Sequence, residues 1–353
     1  MKALSGIEIR AVAATVPTQV ARTQDYEFLT MEERQRFQKV TGIAARRIVR
    51  DGQCASDLCM TAAETALAHV GWARESVGAL IMITQTGDQP VPATSIVIQN
   101  KLGLPQTCVA FDVNLGCSSY PYGLAIVGSM MQSLGIMRAL LLIGDVSSRV
   151  CAKNDKSAWP LFGDAGTATA LELDERASPM YFDLMSDGAG KDAIIIPGGG
   201  LASRRPPNDG PVQQEMGADG TYRRPDNLIL RGADIFSFAI SKVPHSIKRA
   251  MDASGKTGDA VDYLVLHQAN KMINDTIAKK LGFPLDKVPT SIEQYGNTSS
   301  ASIPLTLCTN SDFFRDTRSI ATSGFGVGLS WGSAVFNLPA NSVTTCVESD
   351  ATY

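Results

Sequence analysis

Val109-Ala-Phe-Asp-Val113-Asn-Leu-Gly-Cys117-Ser-Ser119 passes from an apolar, β-branched run through a turn and into a helical pattern. Val109–Val113 reads as a strand. Beyond the turn, Leu124, Val127, Met131 and Leu134 recur three or four residues apart, as one face of a helix does, and Ala139-Leu-Leu-Leu-Ile143 reads as the next strand. Upstream, Ala79-Leu-Ile-Met-Ile-Thr84 is another strand followed by a helix-like stretch. Continuous apolar strands alternating with helices point to a mainly parallel sheet covered on both faces, with reactive residues at the strand-to-helix turns. Cys117 stands at such a turn.

The same plan recurs downstream. Val261-Asp-Tyr-Leu-Val-Leu266 precedes His267, a helix runs from Lys271 to Lys280, Val288-Pro-Thr-Ser-Ile292 leads as a strand to Asn297, and Ser319-Ile-Ala-Thr-Ser323 follows. The intervals agree: Gln85 to Cys117 is 32 residues and His267 to Asn297 is 30, while Cys117 to Leu141 and Asn297 to Ala321 are both 24. Two copies of one βα unit account for this, with residues 1–178 forming a half that carries Cys117 and residues 179–353 a half that carries His267 and Asn297. Pro197 to Asn227 is rich in Gly, Pro, Arg and Asp without periodicity and reads as a long surface loop or lid.

Composition narrows the function. Apolar residues make up 44% of the 353 and charged residues 19%, the balance of an ordinary globular protein, and a net charge of −3 gives no support for a nucleic-acid partner. The N-terminal segment from Met1 to Ala11 is broken by charges before a signal-peptide core can form and reads as a first strand. No apolar run is long enough to span a membrane, so the expected location is cytoplasmic. Seven scattered cysteines, without metal-type spacing, read as reduced thiols.

Three residues stand out at turns. Cys117, at the mouth of a helix, is either a nucleophile held as a thiolate by unpaired amides and the helix dipole, or a small residue chosen for tight packing. His267 follows a strand, a place where most histidines are structural, but the repeat gives it a defined strand-to-helix turn, in the slot that Gln85 fills in the other half. Asn297 reads locally as a turn or cap residue, yet it fills the slot that Cys117 occupies in the first half. His69 and His245 lie in helix-like stretches and read as structural. Ser323-Gly-Phe-Gly-Val-Gly-Leu-Ser-Trp-Gly-Ser333 is no dinucleotide fingerprint, because no helix opens after it; it is a tight turn that either aims amides at an oxyanion or is a plain glycine hairpin.

Taken together, Thr41-Gly-Ile43, Arg46-Arg-Ile48, the Cys117 turn, Phe162-Gly-Asp-Ala-Gly166, His267-Gln-Ala-Asn270, Gly296-Asn-Thr-Ser299 and the Gly326 to Gly332 turn resemble the β-ketoacyl-acyl-carrier-protein synthase III family over almost the whole chain. The resemblance implies a thiolase fold, five-layered αβαβα with two pseudo-duplicated halves, and a homodimer. It makes Cys117 the acylated nucleophile, His267 and Asn297 the donors to the malonyl thioester carbonyl, and the amides of Cys117 and Val327 the oxyanion hole. The partners implied are acyl carrier protein and a coenzyme A thioester, with no metal or redox cofactor. Val91, Arg36, Lys156, Phe325 and Gly326 fall at substrate-contacting positions. Several of these depart from the family pattern: Arg36 replaces a stacking tryptophan, Val40 and Lys156 replace arginines, Val327 replaces a glycine, and Val91 replaces a phenylalanine that limits acyl length across the dimer interface.

Lys271, Lys279, Lys280 and Arg249 cluster in sequence near His267, where they form either a docking face for an acidic carrier protein or an ordinary solvated helix surface. The expected reaction is decarboxylative condensation of an acyl thioester with malonyl-acyl-carrier protein, of the kind used in fatty-acid biosynthesis. The nearest rival is transfer of the acyl group to an oxygen or nitrogen acceptor without decarboxylation. A silent partner subunit and a papain-like hydrolase fit less of the residue set.

Overall fold

The computed structural model describes residues 2–200, 214–217 and 220–353. Two sheets organise the chain. The first has the order β17 (Val347–Glu348), β2 (Ile7–Val16), β8 (Ala165–Leu173), β7 (Arg138–Asp145), β5 (Ala79–Ile83), β6 (Val109–Val113). The second runs β1 (Lys2–Leu4), β9 (Met180–Ser186), β16 (Ser330–Leu338), β15 (Arg318–Gly326), β14 (Tyr263–Leu266). Among the described residues, three two-stranded pairs complete the strands: β3 (Val20–Arg22) with β4 (Ala45–Arg47), β10 (Ile194–Ile195) with β13 (Ile229–Leu230), and β11 (Glu215–Met216) with β12 (Tyr222–Arg223).

Helices α4 (Ser119–Leu134) and α8 (Ser302–Thr309) fill the space between the sheets. On the outer face of the first sheet lie α2 (Ala55–Val70) and α3 (Thr94–Lys101), and on that of the second lie α5 (Gly232–Ser254) and α6 (Lys271–Leu281). This is the αβαβα sandwich of the thiolase fold. Alternation along each strand explains the uninterrupted apolar runs: Ile81 and Ile83 join the central core while Leu80 and Met82 join the outer one, and all four are buried. Helix α1 (Met31–Thr41) starts in a capping box, in which Thr30 Oγ1 accepts the Glu33 amide and Glu33 accepts that of Thr30, and ends on left-handed Gly42. The short α7 (Ile292–Tyr295) lies against β4.

The two sheets repeat one another. β5 runs parallel to β7 and β14 parallel to β15, and in each sheet the next two strands are antiparallel. One expected strand is missing: Val288 to Ile292 forms no strand, and among the described residues the second sheet has no counterpart of β6. Pro289 lacks an amide to donate, and Gln268 Oε1 takes up the Thr290 hydroxyl at 2.7 Å and the Ser291 amide at 3.2 Å, so this segment satisfies its donors locally instead. The N-terminal segment, expected to be one strand, is two: β1 belongs to the second sheet and β2 to the first, with left-handed Gly6 between them. β17 returns the C-terminal end to the first sheet, so the terminal strands cross between the halves.

Of the expected loop from Pro197 to Asn227, residues 201–213 and 218–219 lie outside the described residues, and the rest includes the β11–β12 pair. Arg223 in β12 is anchored by a buried ion pair to Asp155 at 2.7 Å. No helix among the described residues is long and apolar enough to cross a membrane.

Candidate active site

The turn between β6 and α4 holds Cys117 where the two halves meet. Its side chain is 8% exposed and borders a cavity of about 310 Å³ that His267, Asn297, Ser299, Phe325, Gly326 and Val327 also line. The β15–β16 turn presses directly on the thiol: a Cβ at Gly326 would lie 2.8 Å from the Cys117 Sγ, so no side chain fits there. The glycine run is therefore a close-approach turn.

His267 leaves the end of β14, where its amide donates to the Ser323 carbonyl at 2.9 Å. Its ring stands edge-on to Phe325, with centroids 5.4 Å apart, and Nδ1 lies 2.6 Å from the Ser302 hydroxyl. Asn297 is fixed through its backbone. It donates to the Leu161 carbonyl at 2.9 Å and accepts from Gly163 at 3.0 Å, forming a bridge beside Phe162. That bridge rests on Arg46, which is fully buried, donates to the Phe162 carbonyl and to the Tyr26 hydroxyl, and stacks 4.3 Å from the Trp159 ring. The Asn297 Oδ1 accepts the Ser299 amide at 2.9 Å, while Nδ2 has no partner among the described residues.

Ser299 was not singled out as a functional residue from the sequence, although it belongs to the Gly296–Ser299 motif. It holds a left-handed φ of 50°, a conformation that residues other than glycine seldom adopt. From there its amide donates to the Asn297 Oδ1, its side chain draws the Cys117 pKa down and its backbone draws that of His267 up. One strained residue thus ties the three candidates together.

Burial controls the electrostatics. It pushes the Cys117 thiol up to about 12, with Asp145 adding to the rise; the Val327 amide, the Ser299 side chain and the Cys117 amide pull the other way. Burial of the thiol thus opposes the thiolate that the helix end and the amides favour. Cys117 and Val327, whose amides were assigned to the oxyanion hole, both line the cavity. Burial also pushes His267 down to about 3, against a smaller opposing effect of the Ser299 backbone, so the ring is neutral at physiological pH.

The remaining sequence candidates divide. Phe325 and Gly326 line the cavity, and so does Lys156, which pairs with Glu33 at 2.8 Å. Arg36 does not line it. The next residue on α1, Phe37, does, so the aromatic on this helix is displaced by one position from Arg36. Val91 is 80% exposed and lies outside the cavity of its own chain. In the basic set, Lys271 pairs with Asp275, Arg249 pairs with Asp183 at 2.6 Å, and Lys280 donates to the Ile240 carbonyl at 2.9 Å. Lys279 is exposed.

Residues 111–188 match the family model described as 3-oxoacyl-[acyl-carrier-protein (ACP)] synthase III, and residues 251–338 match the model of its C-terminal part. A β-ketoacyl-[acyl-carrier-protein] synthase III from Nostoc sp. is 33% identical over 334 residues, covering 94% of this chain and 98% of that one. A putative 3-oxoacyl-[acyl-carrier-protein] synthase 3 from Campylobacter jejuni is 36% identical over 303 residues, covering 86% and 84%. The crystal structure of a 3-oxoacyl-(acyl-carrier protein) synthase from Burkholderia xenovorans superposes with a TM-score of 0.91 at 34% identity, covering 99% of this chain and 98% of that one. With sequence and fold agreeing over nearly their full lengths, this chain belongs to the 3-oxoacyl-[acyl-carrier-protein] synthase III family.

Proposed function

We propose that this chain condenses an acyl thioester with malonyl-acyl-carrier protein to a 3-oxoacyl thioester, through an acyl group carried on Cys117. The observation behind this reading is the meeting of one thiol from the first half with His267 and Asn297 from the second on the wall of one cavity. In the first step the Cys117 sulfur attacks the thioester carbonyl, the Cys117 and Val327 amides hold the oxyanion, and the thiol proton leaves with the departing thiol. No net acid or base is consumed. In the second step the malonyl thioester loses CO₂, and its enolate oxygen is held by His267 and the Asn297 Nδ2. The enolate carbon then attacks the acyl carbon and expels Cys117, whose sulfur regains one proton from solvent.

Neutral donors suit that step, because a protonated His267 would quench the carbanion it stabilises. The steps balance without a metal or redox group. Retention of a donor pair beside the thiol favours condensation over transfer to an oxygen or nitrogen acceptor, which needs no enolate site.

The acyl donor is a coenzyme A or carrier-protein ester entering past Phe37 and Lys156, and the carrier protein docks on the basic side of α6. Lys271 and Lys279 are the groups best placed for it: Asn270 and Ile273 line the cavity on the same helix, and Lys271 lies beside Gly42 at the end of α1. We propose a homodimer as well. β6 is an unpaired sheet edge, with Val109 39% exposed, and Val91 and Ile96 are exposed beside it.

Incubation with an acyl thioester should add the mass of the acyl group to Cys117, and malonyl-acyl-carrier protein should then remove it with release of one CO₂. An adduct discharged to an amine or alcohol without CO₂ would replace this reading by acyl transfer.

A further inference from the structure

Most of the wall around Cys117 is apolar, with Ile194, Leu228, Leu230 and Phe325 among its residues. The stretch supplied by the C-terminal ends of β5 and β7 differs: Gln85, Thr86, Asp145 and Ser147 all line the same cavity. Asp145 is fully buried. Its Oδ1 already accepts from the Thr84 hydroxyl at 3.1 Å, the Gln85 amide at 2.8 Å and the Thr86 hydroxyl at 3.1 Å, whereas Oδ2 has only the long contact from the Ser300 amide at 3.3 Å. Ser147 is 6% exposed and its hydroxyl has no partner among the described residues. Because Ser147 lines the cavity, a bound molecule can take up that hydroxyl.

Gln85 brings this polar strip up to the nucleophile. Its Nε2 donates to Asn114 at 3.2 Å, and its Oε1 lies so close to Gly116, the residue before Cys117, that a Cβ there would sit 2.4 Å from it. The groups with hydrogen-bonding capacity to spare are chiefly acceptors, Gln85 Oε1 and Asp145 Oδ2, the latter holding one long contact from the Ser300 amide, together with the Ser147 hydroxyl. An acyl chain ending in a carboxylate would be repelled by Asp145. A plain alkyl chain would leave the strip unpaired.

We propose that the acyl group carried by Cys117 bears a hydroxyl close to its thioester, donated to this strip and paired with Ser147. The proposal rests on Cys117 being the acylated residue. It assigns Ser147 and Gln85 as the residues that select the substrate class, and it places the enzyme after a reaction that supplies a hydroxylated acyl thioester.

Paired loading assays on the full chain test it, with hexanoyl- and 3-hydroxyhexanoyl-coenzyme A compared by intact mass at fixed times. Expected is faster labelling by the hydroxylated ester by about fivefold or more, the worth of one ordinary hydrogen bond. Ser147→Ala should bring that ratio close to one, and Gln85→Leu should lower it independently. Equal or faster loading of the wild type by hexanoyl overturns the proposal whether or not either variant folds, and so does a ratio unchanged in both folded variants. If other thioesters label Cys117 but the hydroxylated ester does not, the proposal alone falls; if none labels Cys117, the condensing reading falls with it.

Discussion

The Oδ1 of Asn297 accepts the Ser299 amide at 2.9 Å, which fixes the orientation of the Asn297 side chain and leaves Nδ2 as its free end. A donor without a protein partner in the cavity suits an enolate oxygen. Asn297→Asp keeps the shape and the Ser299 contact but replaces the donor by a carboxylate. Release of CO₂ from malonyl-acyl-carrier protein should fall by roughly 100-fold or more, as when a single oxyanion donor is lost elsewhere. Loading of Cys117 should remain within a few-fold of wild type, and an unchanged rate of CO₂ release would exclude Nδ2 from the enolate site.

Ser299 offers a separate handle on the thiol, because its side chain is one of the groups that draw the Cys117 pKa downward. Ser299→Ala should raise that pKa further and slow alkylation of Cys117 by iodoacetamide at pH 8 several-fold. Ser299→Gly removes the same hydroxyl while relaxing the left-handed backbone, so comparison of the two variants separates the hydrogen bond from the strain. Wild-type alkylation rates in both would show that the hydroxyl does not act on the sulfur.

Two buried titratable groups of the site, His267 and Cys117, give stability opposite pH dependences. His267 is held near 3 in the folded chain against an ordinary value of 6.5, so its contribution is complete above pH 6.5 and is lost as pH falls towards 3. Cys117 is held near 12 against 9.0, so its contribution is complete below pH 9 and is lost as pH rises towards 12. Urea midpoints measured from pH 4 to 8 should fall on the acid side, and His267→Gln should flatten that fall. An unaltered acid limb in the variant would contradict a buried neutral imidazole.

In the proposed homodimer the β6 edge and the exposed Val91 lie at the interface. Val91→Arg should convert a dimer into monomers of 37.6 kDa in light scattering, with little change in the far-ultraviolet spectrum. A wild-type protein that is already monomeric at micromolar concentration would remove the dimer from the picture.

The sequence revealed the fold chiefly through period and spacing. Val109–Val113 is the strand expected, residue for residue, and the helix after Cys117 follows the apolar face marked by Leu124, Val127 and Met131. Failures came where a tertiary partner decided the outcome. Val288 to Ile292 has strand-like composition, but the Gln268 side chain intercepts its donors. Arg36 and Phe37 differ by one position on α1, and only the packing of that helix decides which faces the cavity. The thiol was expected to ionise because the helix end is visible in the sequence, whereas its desolvation depends on the β15–β16 turn arriving from about 200 residues away. Ser147 and Asp145 carry no motif, although Gln85 occupies the slot that His267 fills in the other half and was to that extent marked by the repeat.

The most direct test of Cys117, His267 and Asn297 acting in two separable steps is to count acyl adducts and CO₂ in the same reaction, for the wild type and for His267→Ala. The variant should accumulate close to one acyl group on Cys117 per chain, while its release of CO₂ from malonyl-acyl-carrier protein falls by at least about 100-fold. Equal loss of both half-reactions in a folded His267→Ala protein would contradict that division and make His267 the base that activates Cys117.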